Sequence, residues 1–239
     1  MLLGSLPYIR YVQMLGGDAR PLWRDVQVRA CLRWLAIAVA VVAVWRVGAS
    51  EQELEPAFRE ALFNLVSILT GTGFFSGSFA GWGGFALLVA FMMGLVGGCS
   101  GSSSGALSIF RVQVVMAAIG AAAGRIGAPH RVSVLRHDGR EVLPDAMAGV
   151  ILYVNGYLAA LLGLAILMTL TGVDTESAVF AVWTSIGNIG YGFGPMVART
   201  GTMVDFPDAA KWIMILAMLM GRLGILAFLV LILPRFWRG

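Results

Sequence analysis

Ser67 to Gly77 reads SILTGTGFFSG, a polar, glycine-bearing turn set between two apolar stretches. The chain around it is 59% hydrophobic, with a mean hydropathy of +0.83. Such a chain belongs in a bilayer, where irregular backbone is tolerated only if it is buried in protein or lines water. Gly71 and Gly73 free the backbone to turn its carbonyls inward, and Thr70 and Thr72 add hydroxyls. Carbonyl oxygens gathered on one axis can replace the water shell of a cation.

Only 13% of the 239 residues are charged, against about 25% in a soluble domain. The apolar residues come in long blocks separated by short charged segments, the pattern of several membrane spans. The net charge is +4, and the arginines sit at segment ends. That reads as membrane topology and argues against a nucleic-acid partner. Cys31 and Cys99 lie far apart and suggest neither a disulfide framework nor a metal site. His130 and His137 are too few for a zinc cluster and read as solvated loop residues. Met1 leads into LLGSLPYIRYVQ, which lacks a basic start and a cleavage site, so no signal peptide is expected.

Taken in order, residues 1–29 form an N-terminal cytoplasmic or interfacial segment, with Met1 to Gln13 a short interfacial helix or the tail of one. Residues 30–124 form a first membrane repeat. Ala30 to Val47 is a span of about 18 residues, its arginine-rich start cytoplasmic. Glu51, Glu53 and Glu55 lie outside, and Pro56 to Leu69 is a short, re-entrant helix. It runs into the Thr70–Phe74 turn with its C-terminal dipole end favouring a cation. Trp82 to Val96 is apolar again, then breaks into GGCSGSSSG over Gly97 to Gly105 before Ala106 to Ala123 continues. An unwound segment at membrane depth is the natural reading. Residues 125–145 are a cytoplasmic loop, and residues 146–239 repeat the pattern. Ala146 to Leu170 spans, Thr175 to Ile186 is the second short helix, and Gly187 to Gly194 is the second glycine turn, about 119 residues after the first. Trp212 to Leu233 is read as one last span ending at a cytoplasmic Pro234–Arg235.

Arg222 sits mid-way along that span, where an arginine costs at least roughly 2.5–3.5 kcal/mol on insertion scales. It needs carbonyls, hydroxyls or water, and Gly97 to Gly105 supplies such groups at a similar depth. Arg222 is expected to contact that segment and to raise a positive barrier to cations. Gly97 to Gly105 lacks the lysine that a phosphate-cradling loop demands. Trp34, Trp45, Trp82 and Trp212 lie near span ends and read as interfacial anchors. There is no nucleophile–base pair, no HExxH and no paired intramembrane carboxylate, so an enzyme is not expected.

TGTGF at Thr70–Phe74, VGGCSGSSSG at Val96–Gly105, NIGYGFG at Asn188–Gly194, and DAAKW with MLMGRLGI within Asp208–Ile225 resemble the Trk/Ktr/HKT superfamily of cation transporters. The ending LPRFWR is similar to its bacterial Trk branch. The resemblance covers nearly the whole chain. It implies an all-α polytopic membrane protein of potassium-channel-like helix–pore-loop–helix repeats, four to a pore, in a homodimer with a cytosolic nucleotide-binding regulatory subunit. Gly73 matches the filter glycine of one repeat, with Thr70, Gly71, Thr72 and Phe74 around it. Gly190 holds the corresponding place within Asn188, Ile189, Tyr191 and Gly192. Potassium would be the transported ion at these residues, with no cofactor. Gly97, Gly98, Ser100, Gly101, Ser102, Ser103, Ser104 and Gly105 match the intramembrane gate, and Arg222 the arginine facing it.

Three departures stand out. Ser108 replaces a frequent lysine, Gly224 replaces a frequent acidic residue, and only two repeats are present, matching the family's C-terminal half. The expected function is potassium transport by the pore-forming subunit of a Trk-type uptake system, or by its C-terminal half. The alternative is a non-conducting membrane scaffold or truncated product. The expected place is the bacterial inner membrane, multi-pass, with both termini cytoplasmic.

Overall fold

The computed structural model describes residues 1–17, 20–50, 53–77, 79–127, 136–198, 200–232 and 234–237. His130, Glu51 and Arg131 fall outside these. Among the described residues all regular structure is helical apart from one two-residue hairpin, β1 (Arg136–His137) with β2 (Arg140–Glu141).

A single 3-10 turn (Leu2–Ser5) leads into α1 (Tyr8–Leu15) and α2 (Arg20–Arg24). The first long helix, α3, runs from Val26 to Ser50, starting earlier than the apolar pattern suggested. The cause is Asp25. One of its carboxylate oxygens accepts from the Gln27 and Val28 amides at 2.8 and 3.3 Å, and the other pairs with Arg10 at 2.7 Å. The carboxylate therefore caps α3 and ties it to α1.

The short helix α4 (Leu54–Thr70) packs along α3. It is followed by the glycine turn, then α5 (Gly83–Val96) and α6 (Ile109–Gly127), which flank the Gly97–Ser108 loop. The second repeat is α7 (Pro144–Thr169), α8 (Thr175–Ile186), the second turn, α9 (Pro195–Ala198), α10 (Asp208–Leu223) and α11 (Ile225–Ile232), with α12 (Pro234–Trp237) last. Asp174 caps α8 by accepting from the Ser177 amide at 2.9 Å. The expectation of one unbroken last span is corrected here. Gly224 takes φ +86°, which no continuous right-handed helix holds, so the span divides into α10 and α11. Both inner spans are therefore broken, one by a long loop and one by a single glycine.

The helices α3 and α7 are long and apolar enough to cross a membrane, and α5 and α6 are shorter apolar helices. On α7 the buried side is Tyr153, Tyr157, Leu161, Leu164, Ala165 and Met168, while Leu152, Leu162 and Ile166 are each at least 60% exposed. A helix apolar on every side with one face unburied suits hydrocarbon, not water. The two repeats are joined by aromatic packing: the Trp183 indole stacks on Phe91 at 5.3 Å and donates to the Phe91 carbonyl at 3.1 Å.

Trp82 corrects another expectation. It is 2% exposed, so it is no interfacial anchor. Its ring lies 5.1 Å under the Arg46 guanidinium, which pairs with Glu60 at 2.7 Å. Trp45 and Trp212, 43% and 70% exposed, remain at the surface.

This buried pair clips α3 to α4. Glu60→Gln leaves Arg46 without its counter-charge. The expected loss is toward the lower end of about 3–5 kcal/mol, since the Glu60 side chain keeps 27% exposure. A thermal melt in detergent measures it, and an unchanged melting temperature would show that the clip contributes nothing.

Candidate functional site

The two glycine turns are the same structure built twice. At the end of α4 the Thr72 amide bonds to the Ser67 carbonyl at 2.9 Å and the Gly71 amide to the Ile68 carbonyl at 3.2 Å. At the end of α8 the Ile189 amide bonds to the Thr184 carbonyl at 2.9 Å and the Asn188 amide to the Ser185 carbonyl at 3.1 Å. Each is a Schellman closure, which needs a left-handed residue. Gly71 supplies it at φ +66° and Asn188 at φ +51°, asparagine being one of the few side chains that tolerate that region. The structural repeat therefore pairs 71 with 188 and 73 with 190, an offset of 117 rather than about 119.

The turns face each other. Gly73 and Gly190 have φ of +82° and +97°. A Cβ placed on Gly190 would lie 3.6 Å from the Gly73 Cα, and one on Gly73 would collide with the Ile189 carbonyl. The carbonyl oxygens of Gly187 and Asn188 lie within 4 Å of a Cβ on Gly71. A cavity of about 670 Å³ borders both turns, touching Gly71, Thr72, Thr184, Asn188 and Gly190. The Ile189 and Tyr191 side chains are buried, at 3% and 2% exposure. The Phe74 side chain is 67% exposed, and its carbonyl accepts from the Tyr191 hydroxyl at 3.0 Å. An adjoining cavity of about 500 Å³ has Glu176 among its lining residues. The C-terminal ends of α4 and α8 both run into this region, and their partial negative charge favours a cation.

The loop between α5 and α6 is held from several sides. Leu107 and Ser108 donate to the Leu95 and Val96 carbonyls at 3.1 and 2.9 Å, so the loop closes on its own base. Its tip is held by the N-terminal segment. Cys99 donates to the Ser5 carbonyl at 2.9 Å, Ser103 to the Gly4 carbonyl at 3.1 Å, and Tyr8 to the Gly101 carbonyl at 3.1 Å. Gln27 of α3 accepts from the Ser100 amide at 2.9 Å. Arg222, in the last turn of α10, donates to the Ser103 carbonyl at 3.0 Å. Cys31 and Cys99, distant in sequence, are free, buried thiols that the fold brings near each other.

Arg111 is the residue that sequence reasoning passed over. Its guanidinium lies 3.7 Å over the Tyr153 ring and donates to the Leu107 carbonyl at 2.9 Å and the Ser108 hydroxyl at 3.3 Å. The signal was present: a lone arginine in the apolar segment after the glycine–serine loop. A cavity of about 300 Å³ beside the loop is lined by Ser100 to Ser104, Tyr153 and both Arg111 and Arg222. No carboxylate stands among its described lining residues, so two positive charges border a chamber edged with hydroxyls.

The family profile of TrkH, described as a cation transport protein, matches residues 17–238. The Trk system potassium uptake protein TrkI of Halomonas elongata is 36% identical over all of this chain and 48% of its own length. TrkH of Escherichia coli K12 is 27% identical over all of this chain and 49% of its own length. The crystal structure of the potassium transporter TrkH from Vibrio parahaemolyticus superposes with a TM-score of 0.91 at 28% identity, over 99% of this chain and 51% of that one. The chain thus spans about half the length of the curated relatives it matches.

The approach of α10 to α8 is decided at Gly221, where any Cβ would run into the Ile186 carbonyl. Gly221→Ala should cost at least about 1–3 kcal/mol through forced backbone movement. Gly163→Ala on α7, where a Cβ meets nothing within 4 Å, should instead stabilise by about 0.5–1 kcal/mol. Melting temperatures of the two variants in one detergent check the contrast, and equal shifts would refute the close approach.

Proposed function

The chain belongs to the TrkH family of cation transport proteins, and from that premise we propose that it is the pore-forming subunit, or half of one, of a Trk-type potassium uptake system. It is a helical membrane protein by family and fold. The observation that carries the reading is the contact of the Gly73 and Gly190 backbones at the ends of two short helices that converge on one carbonyl-edged space.

In this reading potassium gives up water to backbone oxygens of Thr70–Phe74 and Asn188–Gly192, with the Thr70 and Thr72 hydroxyls, 2.6 Å apart, beside them. The ion would be attracted from outside by Glu176 and held by the helix dipoles. Below, the Gly97–Gly105 loop with Arg222 and Arg111 would oppose passage until the loop moves. Two turns border an ion on one side only. The remaining ligands would come from further copies of the chain or from a partner carrying two more repeats. A cytosolic nucleotide-binding subunit, a bacterial inner-membrane location with both termini cytoplasmic, and functional repeats at 30–124 and 146–239 complete the proposal.

The test is potassium uptake at low external potassium in a bacterial strain lacking its own transporters. Three arms compare the chain alone, the chain with a half carrying two further repeats, and each with Gly73→Asp. Growth rescue lost with Gly73→Asp is expected. No rescue in any pairing, with the protein shown in the membrane, would instead favour a non-conducting scaffold. In a rescuing assembly Arg222→Ala should raise cation flux by removing one of the two charges beside the chamber. Unchanged or lower flux in folded protein would refute the barrier.

A further inference from the structure

Tyr191 joins the two turns through a polar node that the ion pathway itself does not require. Its ring is buried beside Gly190, and its hydroxyl has two acceptors: the Asn64 side-chain carbonyl at 2.6 Å and the Phe74 backbone carbonyl at 3.0 Å. Asn64, wholly buried on α4, is fixed in orientation. Its amide nitrogen donates to the Glu60 and Ser76 carbonyls at 2.9 and 2.8 Å, and its oxygen also accepts from the Ser76 amide at 2.9 Å. The Phe75 ring meets Tyr191 edge-on at 6.1 Å. One phenol thus links the second turn to the helix preceding the first turn and to the strand of chain leaving it.

The position of this node matters more than its stability. Tyr191 follows Gly190, whose backbone lies against Gly73. Phe74 follows Gly73, and its carbonyl is drawn toward the phenol. The strut therefore acts on the residues just beyond the closest approach of the two turns. A hydrogen-bonded node within low dielectric is stiff, and a carbonyl site discriminates between cations only as far as its spacing and carbonyl number are held.

We propose that Tyr191 is a positioning residue that sets the gap between the two turns, and through that gap the preference for potassium over the smaller sodium ion. This rests on the potassium-pathway reading above. The hydroxyl does not touch the ion. It holds the Phe74 carbonyl and the Gly190 backbone at a fixed separation, through Asn64.

The experiment uses the assembly that supports uptake, with rubidium as tracer and sodium as competitor. Tyr191→Phe removes one oxygen and keeps the ring. The expected result is that sodium inhibits rubidium uptake at about fivefold lower concentration, whatever the total uptake, the size expected when one buried hydrogen bond is lost. Asn64→Leu, which breaks the same node from the other helix, should shift the ratio in the same direction, and the double variant should add little. If the strut merely stabilises the fold, the melting temperature and total uptake fall while the sodium-to-rubidium ratio stays fixed. That result overturns the proposal and leaves the pathway reading intact. An unchanged ratio with unchanged stability also overturns it. Absence of rubidium uptake by every wild-type assembly overturns the pathway reading and this inference with it.

Discussion

Backbone amides and carbonyls inside hydrocarbon must find partners within the protein, each unpaired group costing several kcal/mol. Three irregular stretches of this chain lie among its apolar helices, and each meets that demand differently. The two glycine turns borrow the last carbonyls of the helices that precede them, so each turn is an extension of a helix end. The loop after α5 has no such helix to lean on. It bonds across its own base, to the N-terminal residues, to Gln27 and to Arg222. These different solutions suit different work: a helix-capped turn is rigid, whereas a loop held by separate segments moves when those segments move.

The same demand accounts for the arginines. A guanidinium in an apolar setting requires acceptors or an aromatic face. Arg222 finds the Ser103 carbonyl, Arg111 finds two oxygens and the Tyr153 ring, and Arg46 finds Glu60 and Trp82. Arg46 is neutralised by its partner and serves as a clip. Arg111 and Arg222 carry no carboxylate partner among the described contacts, so their charge projects into the chamber. Arg111 stands about one helical turn beyond Ser108 and donates to its hydroxyl.

Much of the fold was legible because its signals are local. Asp174 and Thr175 mark a helix start, Gly71 and Asn188 mark left-handed ends, and apolar runs mark the spans. The matching of Gly73 with Gly190 was legible through repetition and resemblance, while the equivalence of Gly71 and Asn188 was not, because an asparagine does in the second turn what a glycine does in the first. Other features depend on contacts far apart in sequence. Trp82 reads as a boundary residue until Arg46 covers it. The nearness of Cys31 to Cys99, and the bond between Tyr191 and Asn64, follow from packing that no spacing rule encodes. The break at Gly224 was hidden by the apolar residues on either side, which satisfy a span whether it is straight or divided.

That break has a consequence for how Arg222 holds the loop. Arg222 sits in the last turn of α10, where carbonyls lose their helical partners and a cation is favoured. Because the helix stops at Gly224, the hold of the guanidinium on the Ser103 carbonyl belongs to α10 and not to α11, and α10 itself is held against α8 at Gly221. The movable side of the contact is therefore the loop. Its release requires breaking the bonds from Cys99, Ser103 and Gly101 to residues 4–8 together with those to Gln27 and Arg222. Those residues lead through α1 to Asp25, the cap of α3. The segment before the first span is thus joined to the loop through a few hydrogen bonds, whereas the glycine turns are closed on their own helices.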